Sequence, residues 1–205
     1  MAQIFISYRR ADSGKDCGRI YEHLIECFGA EAVYRDFQST AKGVDYRQHI
    51  QRAVNQCDVA LVLIGPRWLN IAYENGTRRL GDPHDLVRIE VEIALSRPEC
   101  RVIPVLLQGA SIPAERDLPP SLRPLAFRNA AQVRDDPDFA NDMAALMNAI
   151  GPCQPAAGAT AAQPPSKQGI NITGGQVGGV ITGGNMGDVT FGNMKQNSMI
   201  IQKRK

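Results

Sequence analysis

Between residues 3 and 150, short apolar runs alternate with segments of helical periodicity. "QIFISY" (3–8), "AVYRD" (32–36), "DVALVLIG" (58–65) and "RVIPVLLQG" (101–109) are the apolar runs. "DVALVLIG" is apolar almost throughout, as expected of a strand buried on both faces of a parallel sheet. Pro104 interrupts the fourth run and predicts that it lies near a sheet edge. Helical spacing marks "CGRIYEHLIECFG" (17–29), stopped by Gly29, and "YRQHIQRAVNQC" (46–57). It also marks "DLVRIEVEIALS" (85–96), with Asp85 as N-cap, and "DPDFANDMAALMNAI" (136–150). A weak strand falls around 128–134. The stretches 37–45, 66–84 and 110–127 lack periodicity and predict loops. Strands alternating with helices predict an α/β fold with a mostly parallel sheet, which places ligands beyond the carboxyl ends of the strands.

The helix over 85–96 carries an anomaly. At about 100° per residue, Leu86, Val87, Ile89, Val91, Ile93 and Ala94 share one broad arc, with Arg88 and Glu92 outside it. Glu90 falls near the middle of that arc, where a carboxylate is costly unless it is paired or opens into a cleft.

After residue 150 the pattern changes. "GPCQPAAGATAAQPPSKQG" (151–169) is rich in Ala, Pro, Gly and Gln and predicts a disordered linker. Residues 170–197 contain a nine-residue repeat: "NITGGQVGG", "VITGGNMGD" and a degenerate "VTFGNMKQN". β-prone pieces separated by paired glycines suggest stacked β-arches. So few repeats cannot bury a core alone, so copies on other chains are their natural neighbours. The alternative is a disordered Gly-rich tail. Residues 198–205 end in three basic residues, read as a solvated terminus.

Composition narrows the function classes. A net charge of +2 argues against nucleic acid or a membrane surface as partner. Five cysteines without a CxxC pair argue against a disulfide framework and against a zinc site. Cys17, Cys27, Cys57 and Cys100 lie in or beside apolar segments and read as free thiols packed as small hydrophobes. Reduced thiols, the lack of a signal-peptide pattern and the lack of a long apolar run predict a soluble, cytoplasmic protein. GxxxxGK[ST], GxGxxG after the first strand and GxSxG are all missing. His23, His49 and His84 have no metal-ligand spacing, so no metal site is expected.

A convergent set remains at the carboxyl ends of the strands. Tyr8, Arg9 and Arg10 follow the first strand, where they can stack on a base or hold phosphate. Asp36 and the loop ending at Gly43 follow the second. Trp68, Asp85 and Glu90 precede or lie within the third helix of the pattern that starts at residue 17. Such a set suits a ligand with phosphates and a reactive sugar. Two plainer readings stand beside it: a solvated strand end for Arg9 and Arg10, and a buried ion pair between Glu90 and one of those arginines.

"IFISYRR", "VYRD…KG", "DVALVLIGPRWL" and "DLVRIEVEIAL", in this order and spacing, resemble a TIR (Toll/interleukin-1 receptor) domain over residues 1–150. The resemblance is nearest to bacterial TIR proteins and to the NAD-cleaving TIR of the axon-degeneration enzyme. It implies a flavodoxin-like fold with a five-stranded parallel sheet. In catalytic members a glutamate in the pattern aspartate–aromatic–valine–x–x–glutamate is required for NAD+ cleavage, which carries over to Glu90. Tyr8 and Arg9 match residues lining the nucleotide site, and 37–45 corresponds to the gating BB loop. Tyr46 stands for the aromatic placed after the loop glycine. Leu86 departs from the aromatic that catalytic members often carry, which bears on rate and pocket shape.

The resemblance therefore implies an NAD+ glycohydrolase, with NAD+ as substrate and no cofactor. It further implies activation by self-association through TIR–TIR contacts, in bacterial defence or cell-suicide signalling. The tail resembles, more loosely, Gly-rich amyloid-signalling motifs, so residues 170–197 are a second candidate for self-association. An upstream sensor protein is a further candidate partner. The rival readings are a non-enzymatic TIR adaptor and a virulence effector.

Overall fold

The computed structural model describes residues 2–35 and 46–153, with the side chains of 46–49 excepted. Contacts divide the chain after Ala162, so the described residues all belong to the first unit. Expectations for Asp36, the 37–45 loop, the 170–197 repeat, the basic end and all but the first residues of the linker lie outside them.

Five strands, β1 (Ile4–Ser7), β2 (Val33–Arg35), β3 (Val59–Ile64), β4 (Arg101–Leu107) and β5 (Ala131–Val133), pair in the order β2-β1-β3-β4-β5. Every pairing is parallel. Four helices connect or close them: α1 (Arg10–Phe28), α2 (Tyr46–Gln56), α3 (Leu86–Ser96) and α4 (Phe139–Ile150). The flavodoxin-like expectation is met.

Alternation along the strands splits the core into two layers, because successive side chains leave opposite faces of a strand. Ile4, Ile6, Leu61, Leu63, Val105 and Leu107 face one way, toward Ile20 and Leu24 of α1 and Met143 and Leu146 of α4. Phe5, Ala60, Val62, Ile64 and Val102 face the other, toward Ile50 and Val54 of α2 and Val87, Val91 and Ala94 of α3. Burying a Leu or Ile side chain contributes about 1.5–3 kcal/mol, so the two layers supply most of the driving force.

Pro104 lies on β4, which is an interior strand flanked by β3 and β5 and not itself an edge. The proline is tolerated because the β5 ladder begins at Val105, one residue later. β5 ends where Arg134 meets α4. Its guanidinium and its backbone N–H both donate to Asp142 and hold that carboxyl down to about 2.

Two further expectations are corrected. α1 starts at Arg10, seven residues before the periodic segment, with a break at Ser13 (φ −123°, ψ 20°) inside it. Its first turn carries polar side chains used for other contacts, so hydrophobic spacing does not reveal it. Cys27 is not a free thiol. It is bonded to Cys153, with Cα atoms 4.9 Å apart, joining the last turn of α1 to the segment just past α4. Both helices run antiparallel to the strands, and their ends meet across 126 residues of sequence that spacing cannot relate. Cys17, Cys57 and Cys100 are buried free thiols, as expected.

The loop after β3 is held by α1. Asp12 accepts the backbone N–H of Gly65 at 3.0 Å and of Arg67 at 2.8 Å, while Arg67 returns a guanidinium bond to the Ala11 carbonyl. A Cβ on Gly65 would stand 2.5–2.9 Å from the Asp12 carboxylate, inside van der Waals contact. Gly65→Ala should therefore cost about 1–3 kcal/mol in thermal or urea unfolding. The cost should shrink to a few tenths when Asp12→Ala is already present, because the clash is with that side chain. An undiminished cost in the double mutant would move the cause to the backbone.

Candidate functional site

With strand order 2-1-3-4-5, the chain leaves β1 for one side of the sheet and crosses to β3 on the other. In doubly wound sheets a crevice lies where the direction reverses, which in this strand order falls beyond the carboxyl ends of β1 and β3. Ser7, the last residue of β1, lies there opposite Val62 of β3.

α3 descends from the same end. Asp85 caps it, accepting the Arg88 N–H at 3.0 Å, as the sequence predicts. The deepest line of the helix is Val87, Val91 and Ala94. Glu90 stands one step aside from that line and is half-buried. The Ser7 hydroxyl donates to Glu90 Oε2 at 2.6 Å, which joins the end of β1 to the second turn of α3. A carboxylate on an inward arc is thus explained by its position at the margin of the core, facing a strand end. Sequence reasoning placed Ser7 at the end of the first strand without assigning it a role. The available signal was a hydroxyl closing an otherwise apolar run.

Arg9, one of the two arginines weighed as a partner for Glu90, pairs with Asp85 instead. Arg9 is 4% exposed and Asp85 2% exposed. Arg9 Nη1 and Nη2 grip the two Asp85 oxygens at 3.1 and 2.8 Å. Arg79 adds a second cation, with Nε 3.2 Å from Asp85 Oδ2 but off the line of a hydrogen bond. The Arg9 Nε is buried with no hydrogen-bond partner among the described residues. Arg9 is thus an internal tie between the start of α1 and the start of α3, and its guanidinium does not reach solvent as a phosphate-binding group would. Arg79, in the aperiodic 66–84 stretch, gave no pattern by which to be found.

The remaining candidates take different places. Arg10 is exposed at the first residue of α1, and Tyr8 is partly buried against the α1/α4 layer. Leu86 packs against the other layer at the top of α3. Trp68 is wholly enclosed in that layer at 0% exposure, and its indole N–H has no partner among the described residues. Its ring is core in this structure and lines no surface crevice. Tyr46 opens α2, with its side chain outside the described residues.

Glu92, expected to be solvated, is engaged. Arg88 Nε donates to it at 2.6 Å and the Ser121 hydroxyl also bonds it, while Arg88 Nη1 donates to the Leu80 and Gly81 carbonyls. One helix thus carries two glutamates with different surroundings. Glu92 ties the outer face to flanking loops, and Glu90 faces the crevice. Nearby, the His84 N–H and the Tyr73 hydroxyl donate to Asp82 and depress its carboxyl pKa. Among the described residues no group of three or more His, Cys, Asp or Glu side chains could hold a metal ion. Nor, among them, is any helix long and apolar enough to cross a membrane.

The fold and this crevice define a doubly wound α/β domain with a carboxylate at its topological switch point. The chain belongs to the TIR domain family, whose model matches residues 4–147. Among solved structures it is similar to the TIR domains of the activated Roq1 resistosome directly recognising the pathogen effector XopQ. That match has 14% identity and a TM-score of 0.54, and covers 73% of this chain and 99% of that one. It is also similar to a metazoan TIR-STING receptor from C. gigas in complex with 2',3'-cGAMP, at 20% identity and a TM-score of 0.49. There the match covers 74% of this chain and 39% of the longer receptor. A search of the curated proteins gave no match.

Proposed function

We propose that this TIR domain is an NAD+ glycohydrolase that releases nicotinamide and leaves ADP-ribose or a cyclised ADP-ribose, and that self-association activates it. The observation that carries this reading is the half-buried Glu90 carboxylate, hydrogen-bonded by Ser7 at the switch point of the sheet. Nicotinamide departs neutral from a cationic pyridinium, so breaking the glycosidic bond needs no general acid. The ribose passes through an oxocarbenium-like state that a nearby anion stabilises, as in glycoside hydrolysis. Glu90 supplies that anion, and partial burial strengthens it by lowering the local dielectric. Ser7 fixes one carboxylate oxygen, and the Arg9–Asp85 tie holds the top of α3 against β1. Arg10, exposed at the first residue of α1, would meet phosphate charge in this reading. Leu86 gives the nicotinamide end an aliphatic wall.

Self-association is supported by the sequence of the nine-residue repeat and by the assembled state named for the similar Roq1 TIR domains. Its setting is proposed to be cytoplasmic signalling in bacterial defence, downstream of a sensor. In the test, NAD+ is incubated with the full chain and with residues 1–153, which keep the Cys27–Cys153 bond, and nicotinamide is measured against protein concentration. At low concentration the full chain should be at least about tenfold faster per subunit, since a self-stacking tail raises effective concentration. Equal rates from dilute samples of both would remove the tail from the mechanism. No nicotinamide from either, even when concentrated, would favour a non-enzymatic adaptor.

A further inference from the structure

At the pole opposite Glu90, where β3 and β4 begin, two thiols face each other. Cys57 closes the α2–β3 junction and Cys100 the α3–β4 turn. The Arg101 N–H donates to the Asp58 carbonyl at 2.8 Å and Val59 pairs with Arg101, which locks the two strand starts side by side. The Sγ atoms are 3.5 Å apart, close to van der Waals contact, and both cysteines are buried. Arg97 lies over them, with Nη1 donating to the Cys57 carbonyl at 2.8 Å and standing 3.9 Å from its sulfur. A fixed guanidinium beside two touching sulfurs is the surrounding in which a thiolate forms.

We propose that Cys57 and Cys100 are a hydroperoxide-sensitive dithiol that closes to an intramolecular disulfide. The two sulfurs divide the work. Cys100 is the readier thiolate, its pKa lowered by the contact with the Cys57 sulfur and by the charge of Arg97, against the opposing effects of burial and Glu99. Cys57 keeps its proton, raised by its bond to Cys100 and by burial, and donates to the Val54 carbonyl at 3.1 Å. The Cys100 thiolate attacks a peroxide oxygen; the O–O bond breaks, water leaves after taking up a proton, and a sulfenic acid remains. The Cys57 sulfur then attacks the Cys100 sulfur. The S–S bond forms, the S–O bond breaks, and hydroxide leaves as water with the Cys57 proton. Two thiols and one hydroperoxide give one disulfide and, for hydrogen peroxide, two waters.

Access comes through the short turn Arg97–Cys100, where Pro98 and Glu99 are exposed, so local opening bares Cys100 without unfolding the sheet. The bond would close a loop that contains β3 and all of α3. It lies within the span closed by Cys27–Cys153 but in the other core layer, and its formation does not depend on any reaction at Glu90.

The test uses the full chain, treated with a few equivalents of hydrogen peroxide, then denatured, alkylated and mapped as non-reduced peptides. The expected product links Cys57 to Cys100, is 2 Da lighter and leaves Cys17 alkylated. The unfolding midpoint should rise by about 5–10 °C and return to its starting value on reduction. In Cys57→Ser, a 1,3-diketone probe should trap sulfenic acid on Cys100. The wild-type peptide map stands on its own should the serine variant misfold. Alkylation of both cysteines after peroxide, or a cross-link through Cys17 or to another chain, would overturn the proposal.

Discussion

Glu90→Gln should lower nicotinamide release from assembled protein by about two to three orders of magnitude. That range follows from removing one preorganised electrostatic group from a transition state. Glutamine is nearly isosteric and its amide oxygen still accepts the Ser7 hydroxyl, so unfolding should shift by less than about 1 kcal/mol. The loss should lie in kcat, with KM little changed, because the carboxylate matters most when positive charge develops on the ribose. Ser7→Ala, which leaves the charge but frees its orientation, should cost about tenfold. Glu92→Gln is the control on the same helix. It loosens the Arg88 and Ser121 contacts and should leave the rate per folded molecule unchanged. Equal losses from both glutamines would mean that the helix, and not the Glu90 carboxylate, sets the activity.

Asp85→Asn should be among the most destabilising conservative substitutions in the domain, at about 3–5 kcal/mol in urea unfolding. The amide oxygen keeps the N-cap bond, but its NH2 would face Arg9 Nη1, so the charge and one of the two hydrogen bonds to Arg9 are lost together. Arg9 would remain enclosed with no anion, and an uncompensated buried cation costs about that much. Arg79 suffers less, because its side chain is 41% exposed and water can take it. Adding Arg9→Met should recover most of the stability, since a buried pair replaced by apolar volume is often neutral. A single mutant within about 1 kcal/mol of wild type would show that water enters this part of the structure. With total stability of about 5–15 kcal/mol for such domains, the single mutant should also accumulate poorly in cells.

The parts of the domain readable in advance were those written in periodic hydrophobicity. β3, α3 and α4 bury one face or two, so their sequences repeat with the period of the element. The first turn of α1 was unreadable for the opposite reason. Arg9 and Asp12 spend their side chains on ties to Asp85 and to the loop after β3, and no period marks such contacts. Glu90 was found because it violates a period, and the family motif selects the same residue. Position alone does not tell an arginine aimed at solvent from one turned inward, so the sequence points Arg9 at a ligand. Asp85 looked complete as a cap, although its carboxylate also takes two arginines. The disulfide is not legible in the sequence, since cysteine counting has no access to where two helix ends meet.

One border of the sheet limits how this domain can polymerise. β5 is three residues long, too short to template a stable added strand. Just past it the Arg134 amide is already spent on Asp142. The β5 border is therefore closed to further strands, and copies of the domain that meet on that side can do so only through helices and loops.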